Sequence, residues 1–176
     1  KMVTSLSDFF RTTLSKGHDY ITVKEERTHI ESYLEIQQFR YQDILDYEIQ
    51  MDEEIYGYII PKLTLQPLVE NALYHGIKNK RGKGKILITG KKQGDKIIFQ
   101  VIDNGKGMTE EELNSLRKKM AGTDTGDEAK GFGVSNVNQR IKYYYGGEYG
   151  VFFESKENEG TNATIIIAAK NIQLPS

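Results

Sequence analysis

The sequence predicts an α+β fold, one sheet of about five strands with helices on one face and a helical segment ahead of it. Three observations predict it. Apolar residues recur one helical turn apart up to Tyr41, and from Asp46 the period drops to two. Beyond that, strand-like runs come in pairs joined by short glycine-bearing turns, with helical stripes between them.

Leu6, Phe10 and Leu14 mark a first helix, which Gly17 and His18 break. Thr22 with Glu25 is a capping-box signature, and Val23, Arg27, Ile30, Leu34 and Tyr41 follow as a second helical stripe. This pair reads as an αα-hairpin with little to bury within its own length, so a bundle partner or the following domain must cover it. Tyr47, Ile49 and Met51 alternate with Glu48 and Gln50, the pattern of a half-buried strand. Pro67 suits the first turn of the next helix, which turns Leu68, Val69, Ala72 and Leu73 inward. Residues 85–89 and 96–103 form one hairpin across Gln93-Gly94-Asp95, and residues 150–155 and 161–169 another across Asn158-Glu159-Gly160. Ile97, Phe99 and Val101 oppose Ile98 and Ile102, which marks a central strand covered on both faces. Thr109 and Glu112 open a helix with Leu113, Leu116 and Met120 on one side. A last helix starts beside Gly133, presents Val134, Val137, Ile141 and Tyr144, and stops at Gly146-Gly147. Residues 121–130, rich in Gly, Thr and Asp, read as a mobile loop between the last two helices.

Composition narrows the function. The 176 residues allow one domain and an appendage at roughly 150 residues per domain. Basic and acidic residues number 24 and 25, a formal charge of −1, so no whole-molecule field draws the chain to nucleic acid or anionic lipid. Without cysteine there is no disulfide scaffold, thiolate metal site or thiol nucleophile. No apolar run approaches the roughly 18 residues of a membrane span and the start does not read as a signal peptide, so the chain is expected to be soluble. Residues 78–85 are basic but have no interleaved aromatics, which makes them a solvated loop rather than a nucleic-acid platform. Tyr143-Tyr144-Tyr145 reads as core and rim of a helix, Glu110-Glu111-Glu112 as a complement to a helix N-terminus, and His29 as a residue on an exposed face.

Three segments carry more than packing. In Leu65-Gln66-Pro67-Leu68-Val69-Glu70-Asn71-Ala72-Leu73-Tyr74-His75-Gly76, the polar residues Asn71, His75 and Lys78 share a helical stripe. Such a stripe is either wet or faces a ligand, and an Asn amide oxygen can complete the octahedron of a hydrated Mg²⁺ whose other ligands are phosphate and water. In Ile102-Asp103-Asn104-Gly105-Lys106-Gly107-Met108, an acidic group ends an apolar strand. Asp103 either bonds its own turn or accepts from a donor such as an adenine amine, and Gly105 and Gly107 permit close approach of a ligand. In Lys130-Gly131-Phe132-Gly133-Val134-Ser135-Asn136, a glycine pair opens a helix whose free N–H groups, with Lys130 beside them, suit an anion under a closing loop.

In this order and spacing the segments resemble the N-box, G1 box and G2 box of the GHKL superfamily. Gly160-Thr161 is similar to its last glycine-threonine box, and residues 22–168 are covered. The wording of the first segment, with Glu25-Glu26, Tyr33-Leu34, Ile36-Gln37 and Arg40-Tyr41 before it, resembles bacterial sensor histidine kinases of the LytS/YesM type. The resemblance implies the Bergerat ATP-binding fold, a two-layer α/β sandwich on a mixed sheet. It divides the chain into residues 1–42, the end of a dimerisation and phosphoacceptor region, and 43–176, a catalytic and ATP-binding domain. It implies that Asn71 binds Mg²⁺ and Asp103 the adenine amine, with Thr161 assisting through water. Gly105 and Gly107 would shape the nucleotide floor, and Gly131, Phe132, Gly133 and Val134 the phosphate end. His75 would donate to the phosphates and Glu70 would have a supporting role, although it lies about 100° around the helix from Asn71.

Departures from the family pattern carry their own expectations. Tyr74 occupies the place of a common lysine, so Lys78 or Lys130 is expected to supply that charge. No Pro-His-Phe-like motif surrounds His18 or His29, so the phosphoacceptor histidine is expected on a segment outside this chain. Pro67 stands where the superfamily's hydrolases carry the carboxylate that activates water. The expected function is therefore transfer of the ATP γ-phosphoryl to a histidine, and onward to an aspartate of a response regulator receiver domain. The alternatives are a GHKL-type ATPase or a non-catalytic ATP-sensing module. The resemblance further implies a homodimeric full-length protein in the bacterial cell membrane, with this domain on the cytoplasmic side; the charge balance and the bare basic loop imply no nucleic-acid partner.

Overall fold

The computed structural model describes residues 3–6, 19–42, 44–78, 80, 82–122 and 132–172. Strand β1 (Tyr20–Thr22) leads directly into helix α1 (Val23–Arg40). Thr22 caps that helix, its hydroxyl accepting the Glu25 N–H at 3.1 Å, as the capping signature requires. Strands β2 (Leu45–Met51) and β3 (Ile59–Pro61) follow, then helix α2 (Gln66–Asn71), which continues without a break as a π-helical turn (Ala72–Ile77). The hairpin β4 (Gly84–Gln93) and β5 (Lys96–Asp103) precedes helices α3 (Glu110–Met120) and α4 (Phe132–Tyr145), and the hairpin β6 (Gly150–Lys156) and β7 (Gly160–Ala168) completes the sheet.

The main sheet is mixed and five-stranded in the order β2-β4-β5-β7-β6, with β2 parallel to β4 and the other pairs antiparallel. Both expected hairpins are present, and their turns are allowed by left-handed residues, Gly94 at φ 61° and Asn158 at φ 65°. Strand β5 is central, as its apolar run predicts, but only one face is sealed. Ile97, Phe99 and Val101 are buried, whereas Ile98 and Ile102 remain half-buried on the outer face. Helices α1 to α4 pack on the inner face, so alternate side chains of β5 meet different surroundings.

The short sheet made by β1 and β3 was not legible in the sequence, because three-residue strands have no measurable period. It brings α1 into the same core as the main sheet: Val23, Ile30 and Leu34 are fully buried beside Leu45, Ile60 and Leu65. The covering that α1 requires therefore comes from the domain that follows it. Residues 7–18, which hold most of the expected first helix and His18, lie outside the described residues. His29 is not on an exposed face as expected; it is 0 % exposed, inside α1, where burial pushes its pKa down.

Helix α3 opens with the predicted capping box. Thr109 Oγ1 accepts the Glu112 N–H at 3.2 Å, and Glu112 Oε2 accepts the Thr109 N–H at 2.9 Å. In α4 Val134, Val137 and Ile141 are buried as expected, but the aromatic that joins them is Tyr145, with Tyr144 half-buried and Tyr143 84 % exposed. The helix stops at Gly146, whose φ of 120° no other side chain adopts readily.

Candidate functional site

A cavity of about 590 Å³ opens between the π turn that follows α2, the end of β5 and helix α3. Its wall includes Asn71 at the end of α2, His75 and Gly76 of the π turn, Asp103 at the end of β5 with Lys106, Gly107 and Met108 just after it, and Ser115, Leu116 and Lys119 of α3, with Thr161 at the floor. Its size falls in the roughly 300–1,000 Å³ range of small-molecule sites.

Asp103 is the last residue of β5 and is 5 % exposed. Its Oδ1 accepts the Gly105 N–H at 2.9 Å, closing a local turn. Burial pushes the carboxyl up to about 6, against the pull of backbone hydrogen bonds from Gly105 and Thr161 and the charge of Lys80. Glycine is required around it for steric reasons. A Cβ on Gly105 would sit 2.6 Å from the Cα of Gly76, and Gly107, at φ 68°, lies under the Lys156 carbonyl. The Gly76 carbonyl accepts the Lys106 N–H at 3.1 Å, which ties the turn after β5 to the π turn.

Thr161 stands across the sheet from Asp103 in register. The Ser155 hydroxyl donates to the Gly160 carbonyl at 2.9 Å and accepts the Met108 N–H at 2.8 Å. With its one proton so used, its 2.8 Å contact with Thr161 Oγ1 makes Thr161 the donor, leaving the Thr161 lone pairs available on the cavity side.

Asn71 and His75 meet the same cavity as Asp103, so the structure brings together the two groups on which the sequence reading rests. Lys78 departs from their stripe. From Ala72 the helix widens to the π pattern, with the Lys78 N–H donating to the Leu73 carbonyl, and α-helical phase no longer holds. The Lys78 ammonium lies 4.3 Å from the Tyr74 ring centre and 4.8 Å from that of Tyr41, outside the cavity wall. Glu70 also turns elsewhere. Its Oε1 accepts from Gln66 Nε2 at 2.9 Å, and its charge helps raise the Tyr33 pKa on α1. Val134 is a core residue, and Gly133 faces Pro67 in a separate groove along Arg140 and Tyr143. Phe132 begins α4, while Lys130 and Gly131 lie outside the described residues.

Several residues of the site escaped the sequence reading. Lys106 and Lys119 bring positive charge to a wall that also carries Glu111 and Glu112, and Ser155, behind the wall, orients Thr161. The alternation Gly105-Lys106-Gly107 was the available signal for Lys106; nothing local marks Lys119 or Ser155.

These residues fit a nucleotide better than a protein-held metal. A buried carboxylate suits a ligand amine. Among the described residues no group of three or more His, Cys, Asp or Glu side chains could hold an ion. A cation beside Asn71 would take most of its ligands from phosphate and water, as Mg²⁺ commonly does. No described helix is long and apolar enough to cross a membrane.

Residues 61–171 match the family described as "Histidine kinase-, DNA gyrase B-, and HSP90-like ATPase", and residues 1–45 match "Histidine kinase". The chain is 34 % identical to the sensor histidine kinase YesM of Bacillus subtilis over 97 % of its own length and 28 % of that protein. It is 29 % identical to the sensor protein LytS of Staphylococcus saprophyticus, over 98 % of this chain and 29 % of the other. The chain thus spans under a third of the length of these curated relatives. Its fold is that of the catalytic domain of histidine kinase ThkA, with a TM-score of 0.63 at 19 % identity over 86 % of this chain and 97 % of that one. The chain belongs to the histidine kinase-, DNA gyrase B- and HSP90-like ATPase family, as an ATP-binding domain.

Proposed function

We propose that this chain is the ATP-binding catalytic part of a sensor histidine kinase, which transfers the γ-phosphoryl of Mg²⁺-ATP to a histidine on a segment outside it. The observation that carries the reading is the convergence of Asp103 and Asn71 on one cavity. The Asp103 carboxylate would accept from the adenine amine, with Thr161 assisting through water. The Asn71 amide oxygen would hold Mg²⁺, which supplies charge neutralisation along the phosphates. His75 and Lys106, both on the cavity wall, would donate to the phosphate chain.

Pro67 favours transfer over hydrolysis. It packs against Gly133, 3.4 Å from where a Cβ would be, and offers no base one turn ahead of Asn71. Glu70 is held by Gln66. Water attack is therefore slow, and the γ-phosphoryl remains for an imidazole nitrogen, which forms the new P–N bond as ADP leaves. In this reading residues 1–42 end the dimerisation segment of a homodimeric, membrane-attached protein and 43–176 form the catalytic domain. The phosphoryl group then passes to a response regulator aspartate.

The test is titration with a non-hydrolysable ATP analogue and Mg²⁺ against wild type, Asp103→Asn and Asn71→Ala. Loss of affinity in both variants is expected, and unchanged affinity in both rejects the proposal. Transfer of γ-label to a supplied helix bearing the upstream histidine, without steady ATP turnover by the chain alone, separates a kinase from an ATPase or a sensing module.

A further inference from the structure

Helix α2, which carries Asn71, has no capping side chain of its own. Its N-terminal donors end on Glu26 of α1, a fully buried residue. Glu26 Oε1 accepts the Leu65 N–H at 2.9 Å and Oε2 the Leu63 N–H at 3.3 Å, and the Gln66 N–H bonds to the same carboxylate. Pro67 has no N–H, and the Leu68 N–H returns to the Leu65 carbonyl at 3.1 Å. One carboxylate from another helix therefore satisfies the orphan donors of the first turn.

The other side of this strap is held as firmly. Arg140 of α4 donates to the Lys62 carbonyl at 2.7 Å and to the Leu63 carbonyl at 3.0 Å, across the left-handed Leu63 at φ 58°. Further along, α1 stays with the same helix: His29 faces Gln66, Tyr33 faces Tyr74, and Tyr41 lies beside Lys78. Asp103, by contrast, is placed by the sheet and by Gly105 and Thr161, with no part of α1 in its support.

We infer that Glu26 is a positioning residue for Asn71: by capping α2 from α1 it sets the depth at which the Asn71 amide enters the cavity, while the base-binding Asp103 is held by the sheet and meets this helix at Gly76, more than a turn beyond Asn71. The inference rests on the reading of Asn71 as the Mg²⁺ ligand. Removing the carboxylate leaves the buried Leu65 N–H without its acceptor, so the first turn must move or unwind, and Asn71 lies less than two turns on.

The experiment compares wild type, Glu26→Gln and Glu26→Ala at about pH 8, above the value near 7 to which burial raises this carboxyl. Calorimetry gives three affinities for each: ATP with Mg²⁺, ATP with a chelator, and adenosine. We expect the factor by which Mg²⁺ tightens ATP to fall about tenfold in Glu26→Gln, in line with losses seen when the support behind a metal ligand is changed. Adenosine affinity should stay within about twofold of wild type. A wild-type Mg²⁺ factor in Glu26→Gln overturns the inference, and so does an equal loss of adenosine and Mg²⁺-ATP affinity, which marks general destabilisation. If Glu26→Ala does not fold, Glu26→Gln, which keeps the shape, decides the matter alone. A wild-type chain that binds ATP equally with and without Mg²⁺ instead overturns the role of Asn71, and the inference with it.

Discussion

The Cα of Gly76 lies against the carboxylate of Asp103, so close that a Cβ there would stand 2.6 Å from Oδ1 and 3.2 Å from Oδ2. The glycine of the π turn and the acid at the strand end thus share a space that admits no methyl group. Gly76→Ala should push the carboxylate from its place and weaken ATP-analogue binding by at least about tenfold, about 1.4 kcal/mol. Gly105→Ala meets the backbone of Gly76, which cannot swing aside, and should also cost about 1–3 kcal/mol of stability. Urea unfolding and binding titrations on the two variants would check this pair of outcomes.

Burial holds the Asp103 carboxyl near 6, and only its ionised form is a full acceptor for an amine. A ligand that prefers the ionised form binds best above that value. Affinity for the ATP analogue should therefore be flat above about pH 7 and fall towards tenfold per unit below about 6. Asp103→Asn should bind weakly at every pH, without this dependence. Titrations between about pH 5 and 8 would show both curves.

Lys106 lines the cavity between two glycines and carries a full charge. Lys106→Ala should lower affinity for ATP about tenfold while leaving adenosine within about twofold, because the lost contact is to phosphate. The salt dependence of ATP binding should weaken in the same variant.

Glu26 titrates near 7 in the folded protein, desolvation being the main cause, and near 4.5 when unfolded. The folded state holds the proton more tightly, so this stabilisation is complete below about 4.5 and is lost as pH rises through about 7. Asp103 acts in the same direction between 3.8 and about 6, while the lowered pKa of His29 acts oppositely below 6.5. The difference between wild type and Glu26→Gln isolates the first effect, up to about 3 kcal/mol at 1.36 kcal/mol per unit. Thermal unfolding from about pH 4.5 to 8 should show the wild type losing more stability than the variant.

Legibility followed the distance between cause and effect along the chain. The capping box of Thr109 and Glu112 spans one turn, and the Asp103–Gly105 contact spans two residues, so both follow from local chemistry. The stripe through Lys78 failed for a non-local reason. Gly76 gives its carbonyl to Lys106, the helix widens around it, and a phase computed for an α-helix places the lysine wrongly. The two covered faces expected of β5 failed similarly, since an apolar alternation does not say which side receives helices.

By itself the sequence determined the strand and helix periods, the caps, the glycine-bearing turns, and the residue types from which a nucleotide cavity can be built. Each of these depends on neighbours within a few positions. Only the tertiary structure decided that Asn71 and Asp103 face one space, that Glu70 and Lys78 do not, and that a carboxylate on α1 caps the helix bearing Asn71. Those outcomes depend on which distant segments are packed together, because a buried donor or acid takes whatever partner the fold brings within hydrogen-bonding distance.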